Sequence, residues 1–459
     1  MIFLLSWVLV FTVGAVLVIG LKRRSAQVAK FFRLPGDAVQ TLLGMSARLA
    51  CSAHHISGFT PQRIRSDLSN YSPLFSLVSI EQRQGVTRAT IGNIVSVKAH
   101  FYPRYGCTLI DAQKPQPLPR HPLADNPLSG VSKGVDQRKK NTRPPALQEL
   151  VESQLRHDHE SGLDTRALLV IQEGEILAEA YGAGITHQTP LLGWSMSKSL
   201  LAILFGRLET LGLADAARGD LFPEWQNDRR CEITLHRLLQ MCDGLAFDET
   251  YRPGTDATRM LFGPLPASRY ALQRPLAHSP GRHFSYASGS TNLVARWMHQ
   301  TLGGTEATLA FWETAFAAPL GLTSTILELD GDGVFIGSSY GYASAREWGR
   351  IGATLLGGYG VGHNPQPFLD PTWLTRALTP NQSDNDPRYA YQLWLNNRTN
   401  QLPQLYPQLP ADSFYMLGNR EQKLMVAPSH NAVVVRLGWS ASPYPIEDRF
   451  GEILQLLPH

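Results

Sequence analysis

The sequence predicts an α/β protein of the α+β kind, with an antiparallel sheet flanked by helices and an all-helical region inserted into it. Three observations predict it. ALLVIQEGEILAEAYG (Ala167–Gly182) has the pattern of a β-hairpin turning at Glu173–Gly174. KLMVAPSHNAVVVRLG (Lys423–Gly438) reads as a second hairpin, turning at Ser429–Asn431. Between them the pattern is mostly helical, beginning with a long apolar helix from about Ser195.

Composition bounds the reading. The chain has 459 residues, 43% of them hydrophobic, so a sizeable core is possible and global disorder is excluded. The formal charge is +4, and Lys133, Arg138, Lys139, Lys140 and Arg143 against Asp136 carry all of it within one short segment. The balance therefore makes no case for nucleic acid as a partner. Four cysteines in this length exclude a disulfide-scaffold miniprotein.

The elements follow in order. Met1–Leu21 contains no charged side chain and as a helix would span about 30 Å, the hydrocarbon thickness of a bilayer. Lys22, Arg23 and Arg24 close it. It lacks the basic leading region and shorter apolar run of a cleaved signal peptide. Residues 1–24 therefore read as an uncleaved transmembrane helix that meets lipid through residues 1–21. Residues 25–112 are a small N-terminal segment in which Ser96–Ile110 has the content of a strand. Residues 113–145 are a Pro-rich basic linker that cannot bury enough apolar area to fold alone. Residues 146–459 are the main domain, from a helix over Leu147–Leu155 to a last helix over Pro445–Leu457.

The sharpest chemical signal is Ser195-Met196-Ser197-Lys198. Ser195 follows a Gly-Trp break and opens an apolar helix, so its N–H sits where the helix dipole favours developing negative charge. Lys198 lies one turn on, on the same face. A buried lysine sheds its charge readily and becomes a base for a serine hydroxyl. The plain alternative is an N-cap serine near a solvated lysine, and the run LLAILFG after Lys198 argues against a polar face. A second signal is Tyr286-Ala287-Ser288, between a Pro-Gly turn and an apolar helix, where a phenol could relay a proton to a leaving group. A third is Phe414–Pro428, a strand running into a turn at Gly418–Glu421 that could lend a backbone N–H to an oxyanion hole.

Together these segments resemble the serine β-lactamase and penicillin-binding-protein superfamily, in its class C-like branch of esterases and 6-aminohexanoate-dimer hydrolases. The resemblance runs from Leu147 to the C-terminus and includes ITLHRLLQMCDGLAFDETY, PLGLTSTILELDGDG and YGYASAREWGRIGATLL. It implies a β-lactamase/transpeptidase-like fold and a serine hydrolase without cofactor or metal. By position, Ser195 would be the acylated nucleophile, Lys198 its base partner and Tyr286 the second proton-transfer residue. The N–H groups of Ser195 and Met416 would hold the oxyanion beside Gly418, with Trp394 at the pocket rim.

The sequence departs from the family in three places. Ser288 stands where many relatives have Asn. Ser413-Phe414-Tyr415 replaces the K-T-G or H-T-G motif, so the cation that holds a β-lactam or peptide carboxylate is missing. The turn that commonly reads G-H-x-G-Q is here Gly418-Asn419-Arg420-Glu421-Gln422, with Arg420 offered as a replacement cation. These departures favour a small-molecule or peptide-like neutral amide or ester. They leave room for a silent binding or sensor module, and less for a cell-wall D-amino-acid peptidase.

In membrane-anchored relatives of this kind, Cys-Ser and Gly-Cys-Thr-Leu segments recur before the hydrolase domain. The resemblance thus implies a Cys51–Cys107 disulfide and a periplasmic hydrolase domain on the inner membrane. The basic cluster Lys22–Arg24 argues for the opposite orientation. A Cys231–Cys242 bridge is possible but not required. His54-His55 and His157-Asp158-His159 are read as surface histidines.

Overall fold

The structure, a computed structural model, describes residues 36–92, 95–110, 144–357, 367–399 and 402–458. The anchor expected over 1–24 and residues 113–143 of the linker lie outside these. Among the described residues no helix is long and apolar enough to cross a membrane.

The N-terminal unit opens with α1 (Gly36–His55) and α2 (Pro61–Tyr71). An antiparallel meander follows: β1 (Ser79–Arg83), β2 (Val86–Ile91), β3 (Val95–Tyr102) and β4 (Gly106–Leu109). The one strand expected over Ser96–Ile110 is thus two. Pro103 cannot donate to the ladder, and Arg104 (φ 70°) and Gly106 (φ 74°) turn the chain back. Helix α1 packs across this sheet and is joined to β4 by the Cys51–Cys107 disulfide. Cys231 and Cys242 are free thiols, the first exposed and the second buried.

The main domain begins with α3 (Pro145–Glu160), β5 (Thr165–Gln172) and β6 (Glu175–Tyr181). Its helical region contains α4 (Met196–Thr210), α5 (Ser288–Leu302) and α6 (Ala345–Ala353). The chain then returns as β7 (Trp394–Leu395), β8 (Phe414–Gly418), β9 (Gln422–Ala427) and β10 (Ala432–Gly438), and ends in α7 (Ile446–Gln455). These six strands form one antiparallel sheet in the order β7-β8-β9-β10-β5-β6, so the two hairpins meet at the β10–β5 pair.

Both faces of this sheet are covered. Leu168, Val170 and Val434 pack on Leu147 and Val151 of α3 and Phe450 and Ile453 of α7. Leu169, Ile171, Val433 and Val435 face the helical region. There Gly349 of α6 lets the helix close on the sheet, since a Cβ would stand 2.5 Å from the Ile171 side chain. Double coverage explains why these strands read as continuous apolar runs rather than as alternating ones.

The apolar core runs unbroken across the boundary between the two parts, from Leu43, Leu49 and Cys107 to Trp194, Leu200 and Val433. A buried polar network pins the join. Glu328, fully buried, accepts from Arg48 Nε at 3.1 Å, Ser52 Oγ at 2.6 Å and the Cys107 N–H at 2.7 Å. Arg48 also lies 4.0 Å over the Tyr340 ring.

Candidate active site

Ser195 occupies the N-cap of α4, where the sequence places it. The approach to it is tightly constrained. A Cβ on Gly193 would stand 2.3 Å from the Trp348 ring, and Trp194 is held at φ 48°, a left-handed conformation unusual for tryptophan. The N–H groups of Met196, Ser197 and Lys198 already bond back to the preceding turn. Among the described residues, that of Ser195 has no acceptor.

Lys198 follows on the same face and is 1% exposed. Its Nζ donates at 3.0 Å to each of three oxygens: Ser195 Oγ, Ser288 Oγ and the Ser338 carbonyl. Glu249 Oε1 lies 3.7 Å away, and the Tyr286 ring centroid 4.9 Å. Burial pulls the ammonium down to about 8, and the Glu249 charge works against that pull.

Tyr286 stands before α5, half-buried in an aromatic wall. It stacks on Trp394 at 5.5 Å and meets Tyr389 edge-on at 5.8 Å. Burial first, and Glu249 next, push its phenol up, while the Ser195 hydroxyl pulls it down. The net result is a phenol that keeps its proton near neutral pH. Ser288 opens α5 and is fully buried; its N–H and Oγ–H both donate to the Glu249 carboxylate, at 2.7 and 2.6 Å.

Strand β8 reaches the nucleophile through Gly418, where a Cβ would stand 2.2 Å from the Gly193 carbonyl oxygen. The orientation of its N–H groups differs from expectation. Asn396 donates to the Ser413 carbonyl on the β7 side, and backbone groups alternate along a strand. Met416, paired with Leu424, therefore points its N–H into the β8–β9 ladder. Beyond the two-residue β7, the N–H groups on the open edge are those of Leu417 and Asn419. Met416 itself is buried in the core.

Arg420 does not serve as a replacement cation. Its guanidinium lies 4.1 Å over the Tyr71 ring, 5.7 Å from the Trp439 ring, and donates to the Asn70 carbonyl at 3.2 Å. Cation–π contact with these two rings and the bond to Asn70 engage it in holding α2 against the turn. Asn419 strengthens this clamp by donating to the Tyr71 hydroxyl at 2.7 Å. A partly open pocket lies nearby between Phe59 and Leu68 of the N-terminal unit and Leu192, Gln422 and Trp439. Ser195, Lys198 and Tyr286 do not line it.

The structure thus brings Ser195, Lys198, Tyr286, Ser288 and Trp394 together and sets Gly418 against the nucleophile loop. Sequence reasoning missed Glu249 and Tyr71. Glu249 lies in GLAFDETY just past a glycine turn, where an acidic residue beside an S-x-x-K site could have been weighed. Nothing in the sequence marks Tyr71, because its position depends on how α2 docks.

Residues 147–453 match the Beta-lactamase family. The chain belongs to this family. Its fold is shared with a putative 6-aminohexanoate-dimer hydrolase from Bacillus anthracis, at 19% identity and a TM-score of 0.54, covering 66% of this chain and 83% of that one. A class C β-lactamase matches at 14% identity and a TM-score of 0.52, covering 70% of this chain and 99% of the other. EstCE1, a hydrolase with promiscuous acyltransferase activity, matches at 14% identity and 0.52, covering 67% and 98%. No curated protein matches the chain. At these identities the likeness establishes the mixed α/β β-lactamase fold.

Proposed function

We propose that the protein is a serine hydrolase that cleaves a neutral amide or ester through an acyl-enzyme on Ser195. The observation that carries this reading is the 3.0 Å contact between Ser195 Oγ and the Nζ of a lysine that is 1% exposed. Neutral Lys198 takes the Ser195 proton as Oγ attacks the carbonyl carbon. Tyr286 gives its phenolic proton to the leaving group and recovers one from the Lys198 ammonium, so the proton taken from Ser195 ends on the leaving group. The Ser195 N–H and an open-edge N–H of Leu417 or Asn419 receive the oxyanion; one such donor is typically worth ~3 kcal/mol. Water then releases the acyl group along the same path.

The absence of a free cation on β8 favours a neutral substrate over a β-lactam or a peptide carboxylate. The membrane reading is part of the same proposal. Residues 1–21 anchor the chain in the inner membrane, and the Cys51–Cys107 disulfide supports a periplasmic hydrolase domain. Turnover of a p-nitrophenyl ester series by wild type, abolished in Ser195→Ala, tests the activity. Equal hydrolysis by the two proteins would sink it.

A further inference from the structure

We propose that Glu249 and Ser288 form the proton outlet of Lys198, an inference that rests on the hydrolase reading above and deepens it. The contacts make a chain: Ser195 Oγ to Lys198 Nζ at 3.0 Å, Nζ to Ser288 Oγ at 3.0 Å, and Ser288 Oγ to Glu249 Oε1 at 2.6 Å. An ammonium has three N–H bonds, and all three directions are taken. Ser195 is the group that Lys198 must deprotonate. The Ser338 carbonyl accepts a hydrogen bond but has no proton of its own to pass on. Ser288 is therefore the neighbour through which the ammonium discharges.

The step balances. An N–H bond of Lys198 breaks as an O–H forms at Ser288. The original Ser288 O–H breaks as Glu249 Oε1–H forms. The ion pair becomes amine and carboxylic acid with no change in net charge. Of the three groups only Glu249 reaches solvent appreciably, its side chain being 18% exposed against 1% for Lys198, with Ser288 fully buried. An asparagine at 288 would offer an amide that does not relay a proton in this way. The hydroxyl and the carboxylate thus account for each other.

In the resting enzyme, before Ser195 attacks, the other titratable groups near the pair do not compete for this proton. Tyr251, Tyr286 and Tyr389 all feel the Glu249 charge, and burial keeps each a phenol. Asp243, also buried, is bound by Ser290 further along α5.

The test is the pH dependence of Ser195 acylation by a fluorophosphonate, followed by intact mass in wild type, Glu249→Gln, Glu249→Asp and Ser288→Ala. Wild type should gain rate with pH through about 8. Glu249→Gln should move this limb to lower pH, because the carboxylate that favours the ammonium is gone, and should lower the plateau. Glu249→Asp should keep the limb near that of wild type, and Ser288→Ala should lose about tenfold or more at the plateau. If the Gln variant does not fold, the Asp and Ala variants decide between them. A wild-type limb and plateau in both Glu249→Gln and Ser288→Ala would overturn the outlet while leaving the hydrolase intact. No adduct on wild type would overturn the hydrolase reading itself.

Discussion

At the scale of single residues, the proposed chemistry turns on a lysine that folding has stripped of water. With Lys198 drawn down to about 8 from an ordinary 10.5, a usable fraction is free amine near neutral pH. The shift also has a sign for stability. The unfolded chain binds this proton more tightly, so the contribution of Lys198 to stability rises as pH climbs from about 8 to 10.5. Lys198→Ala should lower Ser195 acylation by about 10²- to 10⁴-fold and flatten its rise with pH, as stopped-flow kinetics with an activated ester would show. Gly418→Ala carries a second expectation. Its Cβ would meet the Gly193 carbonyl at 2.2 Å, backbone against backbone, so the open edge of β8 must shift. Because a displacement of about 1 Å can cost 10²-fold, kcat should fall far more than the melting temperature. That Ser195, Lys198 and Tyr286 lie together is legible in the sequence, because each sits near an element junction in a recognisable local pattern. Glu249 was not, since its role depends on a loop whose path spacing does not reveal.

Among elements, α2 is the unexpected participant. It lies outside the matched residues 147–453, yet Tyr71 at its end holds both Asn419 and Arg420 of the β8–β9 turn. Tyr71→Ala should free that turn and reduce kcat/KM by about tenfold, while Tyr71→Phe, which keeps the stacking and loses the hydrogen bond, should fall between the two in the same ester assay. Both hairpins and the terminal helices were legible from apolar runs and turn residues. The hairpin β3–β4 was read as one strand because Pro103 and Gly106 were outweighed by their aromatic and β-branched neighbours. The sequence places Met416 at the oxyanion, while the register turns its N–H into the β8–β9 ladder, and one sequence does not print register.

For the whole molecule, the N-terminal unit and the main domain share one core, so the unit is expected to be needed for folding. A fully buried polar tie between them is the Arg48–Glu328 pair. Glu328→Ala should strand the guanidinium and cost about 3–5 kcal/mol, read as a lowered urea midpoint. Replacing Cys51 and Cys107 by serine should cost roughly 2–4 kcal/mol, because the bridge closes a loop across 56 positions of sequence. The antiparallel architecture was foreseeable from hairpins at both ends of the domain; the docking of the N-terminal unit was not, since it depends on side chains far apart in sequence. The proposed function rests on one activated hydroxyl. The most direct measurement is therefore intact-mass and peptide mapping after exposure to a fluorophosphonate. The account predicts a single adduct on Ser195 that is lost in Lys198→Ala. A folded wild-type protein that takes up no label, or takes it up elsewhere, would contradict it.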